Sequence, residues 1–150
     1  ERARLWETRH TMLFASNAAH PGQDSLITDV AVPISHLPSA LTAALDDCAA
    51  NDIDANLVGH VGDGNFHLTL YVGDDPDRRA AAQGVVDRMT YRAIEVGGTA
   101  TGEHGVGLRK LKYMEREHGS ALNLMRAIKA TLDPAGIMNP GKKLPPPSAE

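Results

Sequence analysis

Two histidines, His60 and His67, flank an Asp-Gly turn in the stretch GHVGDGNFHLTL, residues 59–70. Imidazole is the commonest metal-ligating side chain, and two of them on adjacent strands can bind one divalent ion through one nitrogen each. A carboxylate and an open position would complete a catalytic site. Asp-Gly is a favoured pair for a two-residue type I′ turn. With Asp63 and Gly64 at its centre, Gly62 faces Asn65, Val61 faces Phe66, and His60 faces His67. The histidines then form a direct cross-strand pair, with Cβ atoms about 4.5–5.5 Å apart. The period of two puts Leu57, Val61, Phe66, Leu68, Leu70 and Val72 on an apolar face. Val58, His60, Asn65, His67, Thr69 and Tyr71 fall on the other face. Polar cross-strand pairs are common on solvated sheets, so the hairpin alone favours two exposed histidines. A third ligand is needed to make a site.

The segment GTATGEHGVG, residues 98–107, brackets Glu103 and His104 with glycines. Repeated glycines let a backbone turn sharply or approach a ligand closely. An acid and a histidine held there could act as ligand and base, or could be incidental polar residues of a flexible loop. The spacing is neither the dinucleotide fingerprint nor a phosphate-binding loop. Arg9 shares a helix face with Leu5 and Leu13, beside Trp6. An arginine on an apolar stripe snorkels outward or meets an anion, and snorkelling is the default. His10, His20, His36 and His118 read as surface residues, Asp63 as a turn residue, and EREH (115–118) as a solvated helix end.

The elements that would position these residues alternate in type. Residues 4–19 have helical spacing and end at Pro21-Gly22. SLITDVAVP (25–33) reads as a strand, closed by Pro33. Ser35 is placed to cap a helix with the stripe Leu37, Leu41, Leu45 and Cys48. Two strands follow around the Asp-Gly turn. A long helix then carries Ala82, Val85, Val86, Met89, Ala93 and Val96, stopped by Gly97-Gly98. A short strand over 99–101 completes a β-α-β-β-α-β order, the ferredoxin-like split βαβ arrangement of an α+β domain. A helix with Leu122, Met125, Ile128 and Leu132 comes after it.

At 150 residues the chain can bury one core. Its 42% hydrophobic and 23% charged residues are ordinary for a globular domain. A net charge of −4 without a basic block argues against nucleic-acid binding. No apolar run reaches the ~18 residues of a membrane span. The lone Cys48 excludes an intrachain disulfide and a cysteine-rich zinc site. The chain opens in helical register without Met, which reads as part of a longer protein. A domain over 1–143 followed by a disordered, Pro-rich tail at 144–150 is expected.

Three motifs in this order, GHVGDGNFH, GTATGEHGVGLRK and ATLDPAGIMNPGK, resemble the C-terminal region of FAD-linked oxidases. WETRH and ITDVAVPISHLP also fit, so the resemblance covers nearly the whole chain. Cytochrome-type D-lactate dehydrogenases are the nearer relatives, with glycolate oxidase flavoprotein subunits and D-2-hydroxyglutarate dehydrogenases further off. The resemblance implies a substrate, or cap, domain that covers a flavin bound mainly by a separate FAD-binding domain. It implies that His60, His67 and Glu103 hold a divalent metal, zinc or manganese. It makes His104 the general base, Arg9 the carboxylate binder, Asn65 a substrate contact, and Asn139 a residue near the flavin. The implied reaction is oxidation of a small D-2-hydroxy acid to the 2-keto acid, with electrons passing to a cytochrome or quinone-type acceptor. It also implies a location in the cytoplasm or peripheral to a bacterial inner membrane, and is compatible with a homodimer.

The dicarboxylate-specific relatives carry extra basic or hydroxyl residues near the first helix and strand. Leu13 stands one turn after Arg9 here, and QDSLITDVAVP has no lysine, which favours a monocarboxylate such as lactate. Glycolate or 2-hydroxyglutarate oxidation is the alternative within the family. Outside it stand a metal-dependent hydrolase using the same three ligands and a non-enzymatic ferredoxin-like binding module.

Overall fold

The computed structural model describes residues 2–146, with the side chains of residues 2–5, 9 and 10 outside the described set. The elements are α1 (Arg2–Ala19), β1 (Ser25–Ile27), β2 (Val30–Ala31), α2 (Leu37–Ala50), β3 (Asp54–His60), β4 (Asn65–Tyr71), α3 (Pro76–Glu95), α4 (Met114–His118) and α5 (Ala121–Leu132). β4 is central. It pairs antiparallel with β3 on one side and with β1 and β2 on the other. An isolated bridge from Ala31 to Thr99 stands where the last strand was expected. The lateral order, Thr99 bridge, β1/β2, β4, β3, is that of an α+β split βαβ sheet, with its fourth strand reduced to one bridge.

The strand expected over 25–33 is interrupted, and the interruption matters for the site. Ile27 faces Thr69 and Val30 faces Phe66, so the register runs unbroken across Thr28 and Asp29. Only the hydrogen bonding changes there. Thr28 N–H still donates to Leu68 O at 2.9 Å, but Leu68 N–H turns to the Thr28 hydroxyl at 2.7 Å. The Thr28 carbonyl is left facing His67 Nδ1 at 3.0 Å.

The core lies on one face of the sheet. Phe66, Leu68 and Leu70 of β4 meet Leu37, Ala44 and Cys48 of α2 and Ala82, Val85, Met89 and Ala93 of α3. The helical stripe read for α3 is therefore the buried one, and its N-terminus is capped by Asp75, which accepts from Asp77 N–H. Asp47 of α2 ties the two helices by accepting from Arg88 and Arg92. Other apolar patterns stay open. Ser35 does not cap α2; it lies in a 3₁₀ turn, Ile34–His36, that leads into the helix. On α5 only Leu122 is buried, while Ile128 and Leu132 are exposed. Among the described residues no helix is long and apolar enough to cross a membrane. At the C-terminus, Arg126 of α5 donates to the carbonyls of Pro145 and Pro146.

α1 covers part of the opposite, polar face. His20 is a mostly buried residue there, not the surface residue its setting implies. Its ring stacks on Tyr71 with centroids 3.6 Å apart, Nδ1 lies 2.8 Å from Ser16 O, and Nε2 lies 2.8 Å from Asp54. The Ser16 carbonyl and then the Asp54 carboxylate raise its pKa above the ordinary 6.5. A raised histidine pKa means that its contribution to stability is full below 6.5 and fades as the pH rises through the folded-state value. NMR titration should therefore place His20 above 6.5, and Asp54→Asn should lower it. A His20 that titrates identically in both proteins would show that Asp54 does not act on it.

Candidate metal and catalytic site

The β3–β4 connection is longer than a two-residue turn. Val61–Asp63 form a 3₁₀ turn and Gly64 closes it in the left-handed conformation, with φ +71°. Gly64 is forced by space as well. A Cβ there would lie 2.0 Å from Val32 O, and its carbonyl accepts from Val32 N–H. His60 therefore pairs with Asn65, and His67 with Val58, so the expected direct pairing of the two histidines is incorrect. Val61 is solvent-exposed in the turn instead of on the core face. The register has moved by two residues, an even number, which leaves the faces unchanged. His60, Asn65 and His67 still share the polar face. The histidines become diagonal neighbours with perpendicular rings, 5.9 Å between centroids.

Glu103 supplies the third group. Its Oε1 lies 3.0 Å from His67 Nε2 and 3.3 Å from His60 Nε2. Bonds of about 2.0–2.1 Å to a tetrahedral ion put neighbouring ligand atoms about 3.3 Å apart. The donor set of two imidazoles and one carboxylate, three groups where a tetrahedral ion takes four, has the composition of a catalytic metal site. His67 Nδ1 faces the Thr28 carbonyl, and the hydrogen bond it donates there leaves Nε2, on the Glu103 side of the ring, as the nitrogen that an ion shared with Glu103 would bind. The same distances suit imidazolium–carboxylate hydrogen bonds, so metal content separates the two states. His104 stands beside the trio. Its ring stacks on His67, 5.0 Å between centroids and 17° between planes, with Nε2 3.9 Å from Glu103 Oε1.

Asp29, absent from the sequence reading, lies beneath this cluster. Its side chain is 1% exposed. It accepts from Asn65 Nδ2 at 2.8 Å, from Glu103 N–H at 3.1 Å to both oxygens, from His104 N–H at 2.9 Å and from Lys110 Nζ at 2.9 Å. Burial alone would raise its pKa, but the Lys110 ammonium, the His104 N–H and the Asn65 amide hold the carboxyl far below the usual range. Asp29, His67 and His104 form a second trio whose ligand atoms lie within 4.8 Å of one another. The Asp29 oxygens are already taken up by these donors, and His67 Nδ1 is engaged by Thr28 O. The first trio is therefore the better metal site. A lone acid in a strand of β-branched residues was the available sequence signal, since a buried carboxylate needs partners.

Asn65 is buried, and its Oδ1 has no hydrogen-bond partner among the described residues. Asn139 is not part of this cluster. It adopts φ +50° and lines a separate cavity of about 480 Å³ with Val106, Met114, Met125 and Lys129. Arg9 lies in α1, with its side chain outside the described residues. A cleft of about 320 Å³ between α1 and the sheet is lined by Ser16, His20, Val58 and Thr69. Val58 is the cross-strand partner of His67, which places the cleft next to the cluster.

The family profile described as "FAD linked oxidases, C-terminal domain" matches residues 1–143. A zebrafish (Danio rerio) protein named "Probable D-lactate dehydrogenase, mitochondrial" is 42% identical over 95% of this chain and 29% of its own length. "D-lactate dehydrogenase [cytochrome], mitochondrial" of Arabidopsis thaliana is 42% identical over 95% of this chain and 25% of its own length. The glycolate oxidase subunit GlcD of Bacillus subtilis is 36% identical over 92% of the chain and 29% of its own length. The chain thus spans between a quarter and three tenths of these relatives. With the profile covering nearly every residue, including the whole His60–His67–Glu103–His104 cluster, the chain belongs to the FAD-linked oxidase family, in its C-terminal domain.

Proposed function

We propose that this chain is the substrate domain of a flavin-dependent dehydrogenase that oxidises a small D-2-hydroxy acid, D-lactate, to the 2-keto acid. The names of the relatives support this reaction class. The observation that carries the site reading is the position of Glu103 Oε1, within 3.3 Å of two imidazole Nε2 atoms while His67 Nδ1 is engaged by Thr28 O. His60, His67 and Glu103 would hold a divalent ion, zinc or manganese, which when bound lowers the pKa of a hydroxyl beside it. FAD, when bound, supplies the acceptor for the hydride that leaves the α-carbon.

The chain's own residues do the rest. His104 takes the hydroxyl proton at Nε2, on the side of the ring nearest Glu103. Arg9 binds the substrate carboxylate through its guanidinium fork. The unpartnered Oδ1 of Asn65 accepts from the substrate or from a water that accompanies it. Asn139 would contact the flavin through its side-chain amide. In the complete enzyme a cytochrome or quinone-type partner would be the electron acceptor, as the cytochrome-type relative's name suggests.

Elemental mass spectrometry of the purified chain tests the metal reading. Wild type should carry close to one zinc or manganese per chain, and the His60→Ala, His67→Ala double variant should carry essentially none. Equal metal in both would show that the ion sits elsewhere. None in either, after incubation with zinc and with manganese, would leave the trio as an ion pair of this chain.

A further inference from the structure

The loop that carries both a proposed ligand and the proposed base has little of its own to hold it. Among the described residues, no backbone–backbone hydrogen bond involves residues 102–105. The side chains of Glu103 and His104 are each about half exposed. Their two consecutive N–H groups instead converge on one carboxylate, that of Asp29. Such paired N–H groups form an anion-binding concavity, here filled from within the protein.

We propose that Asp29, seated on Lys110, is the positioning residue that presents Glu103 and His104 to His60 and His67; the role in metal binding rests on the metal reading above. Three observations converge on it. Asp29 lies in the interruption between β1 and β2, next to Thr28, whose carbonyl engages His67. The loop presses onto it so closely that a Cβ on Gly102 would lie 2.6 Å from Asp29 Oδ1 and 1.7 Å from Asn65 Nδ2. Lys110 spans the carboxylate and the Asp29 main-chain carbonyl, at 2.9 and 2.7 Å, which fixes the side chain relative to its own strand. One buried group thus sets the loop's distance from β4.

Asp29→Asn keeps the shape but turns an amide N–H₂ toward a cluster of donors. Amide hydrogen exchange of the full chain should show Glu103 and His104 exchanging at least about ten times faster, with the β4 amides of Leu68 and Leu70 unchanged. Cobalt(II), used as the probe ion, should bind about 10–100-fold more weakly, the range for removing an outer-shell partner. Lys110→Met should shift both readouts in the same direction and by less. Should Asp29→Asn fail to fold, Lys110→Met decides alone. Unchanged exchange at residues 103 and 104, or acceleration shared equally by β4, would overturn the proposal. Were wild type to bind no cobalt, the metal reading would fall while the exchange arm still decided the positioning role.

Discussion

If His104 is the proposed base, replacing it by alanine in the complete enzyme should lower kcat for a D-2-hydroxy acid by about 10²–10⁴-fold, the usual span for a general base, with any bound metal retained. The geometry separates this residue from the three proposed ligands. His60 and His67 approach Glu103 Oε1 at 3.3 and 3.0 Å, whereas His104 Nε2 stands 3.9 Å away and its ring stacks on His67. Losing a base that acts in the transition state reduces kcat and leaves KM nearly unchanged. His67→Ala should instead remove both metal and turnover. Steady-state kinetics with parallel metal analysis checks the pair. Loss of metal in His104→Ala would place His104 among the ligands and remove it from the base's role.

Much of this was legible because side-chain alternation along a strand has a period of two and tolerates an even error. The type I′ turn expected at Asp63-Gly64 is a longer connection in the structure, yet His60, Asn65 and His67 remain on one face. The turn itself was decided by a tertiary contact. Gly64 packs against the backbone of Val32, a residue from another part of the chain, which local turn preference does not reveal. The same holds for Asp29. Within ITDVAVP it reads as one polar residue of a strand, and its role depends on Lys110 and on two N–H groups far along the sequence. The spacing of α5 reads correctly as a helix, but a stripe does not say what covers it, and Ile128 and Leu132 face solvent. Placing Glu103 against the histidines needed the resemblance. Glycine content alone left that loop open between a site and a flexible connection.

Adjacent residues of β4 should fail in opposite ways. Leu68 is fully buried between Phe66 and Leu70 on the core face, against α2 and α3. Leu68→Ala removes packed methyl groups where the surrounding sheet and helices cannot close the gap, and should cost about 2–5 kcal/mol of folding stability. Chemical denaturation would read this as a lower midpoint at unchanged slope. The folded fraction should keep its metal, because Leu68 points away from the cluster. His67→Ala should do the reverse. It gives up one hydrogen bond to Thr28 O, worth about 1 kcal/mol, and should lose the ion altogether. The contrast separates the two faces of one strand by experiment. If folded Leu68→Ala lost its metal as His67→Ala does, the ladder between β4 and the Thr28–Asp29 break would have to be a single unit, with core packing and site geometry inseparable.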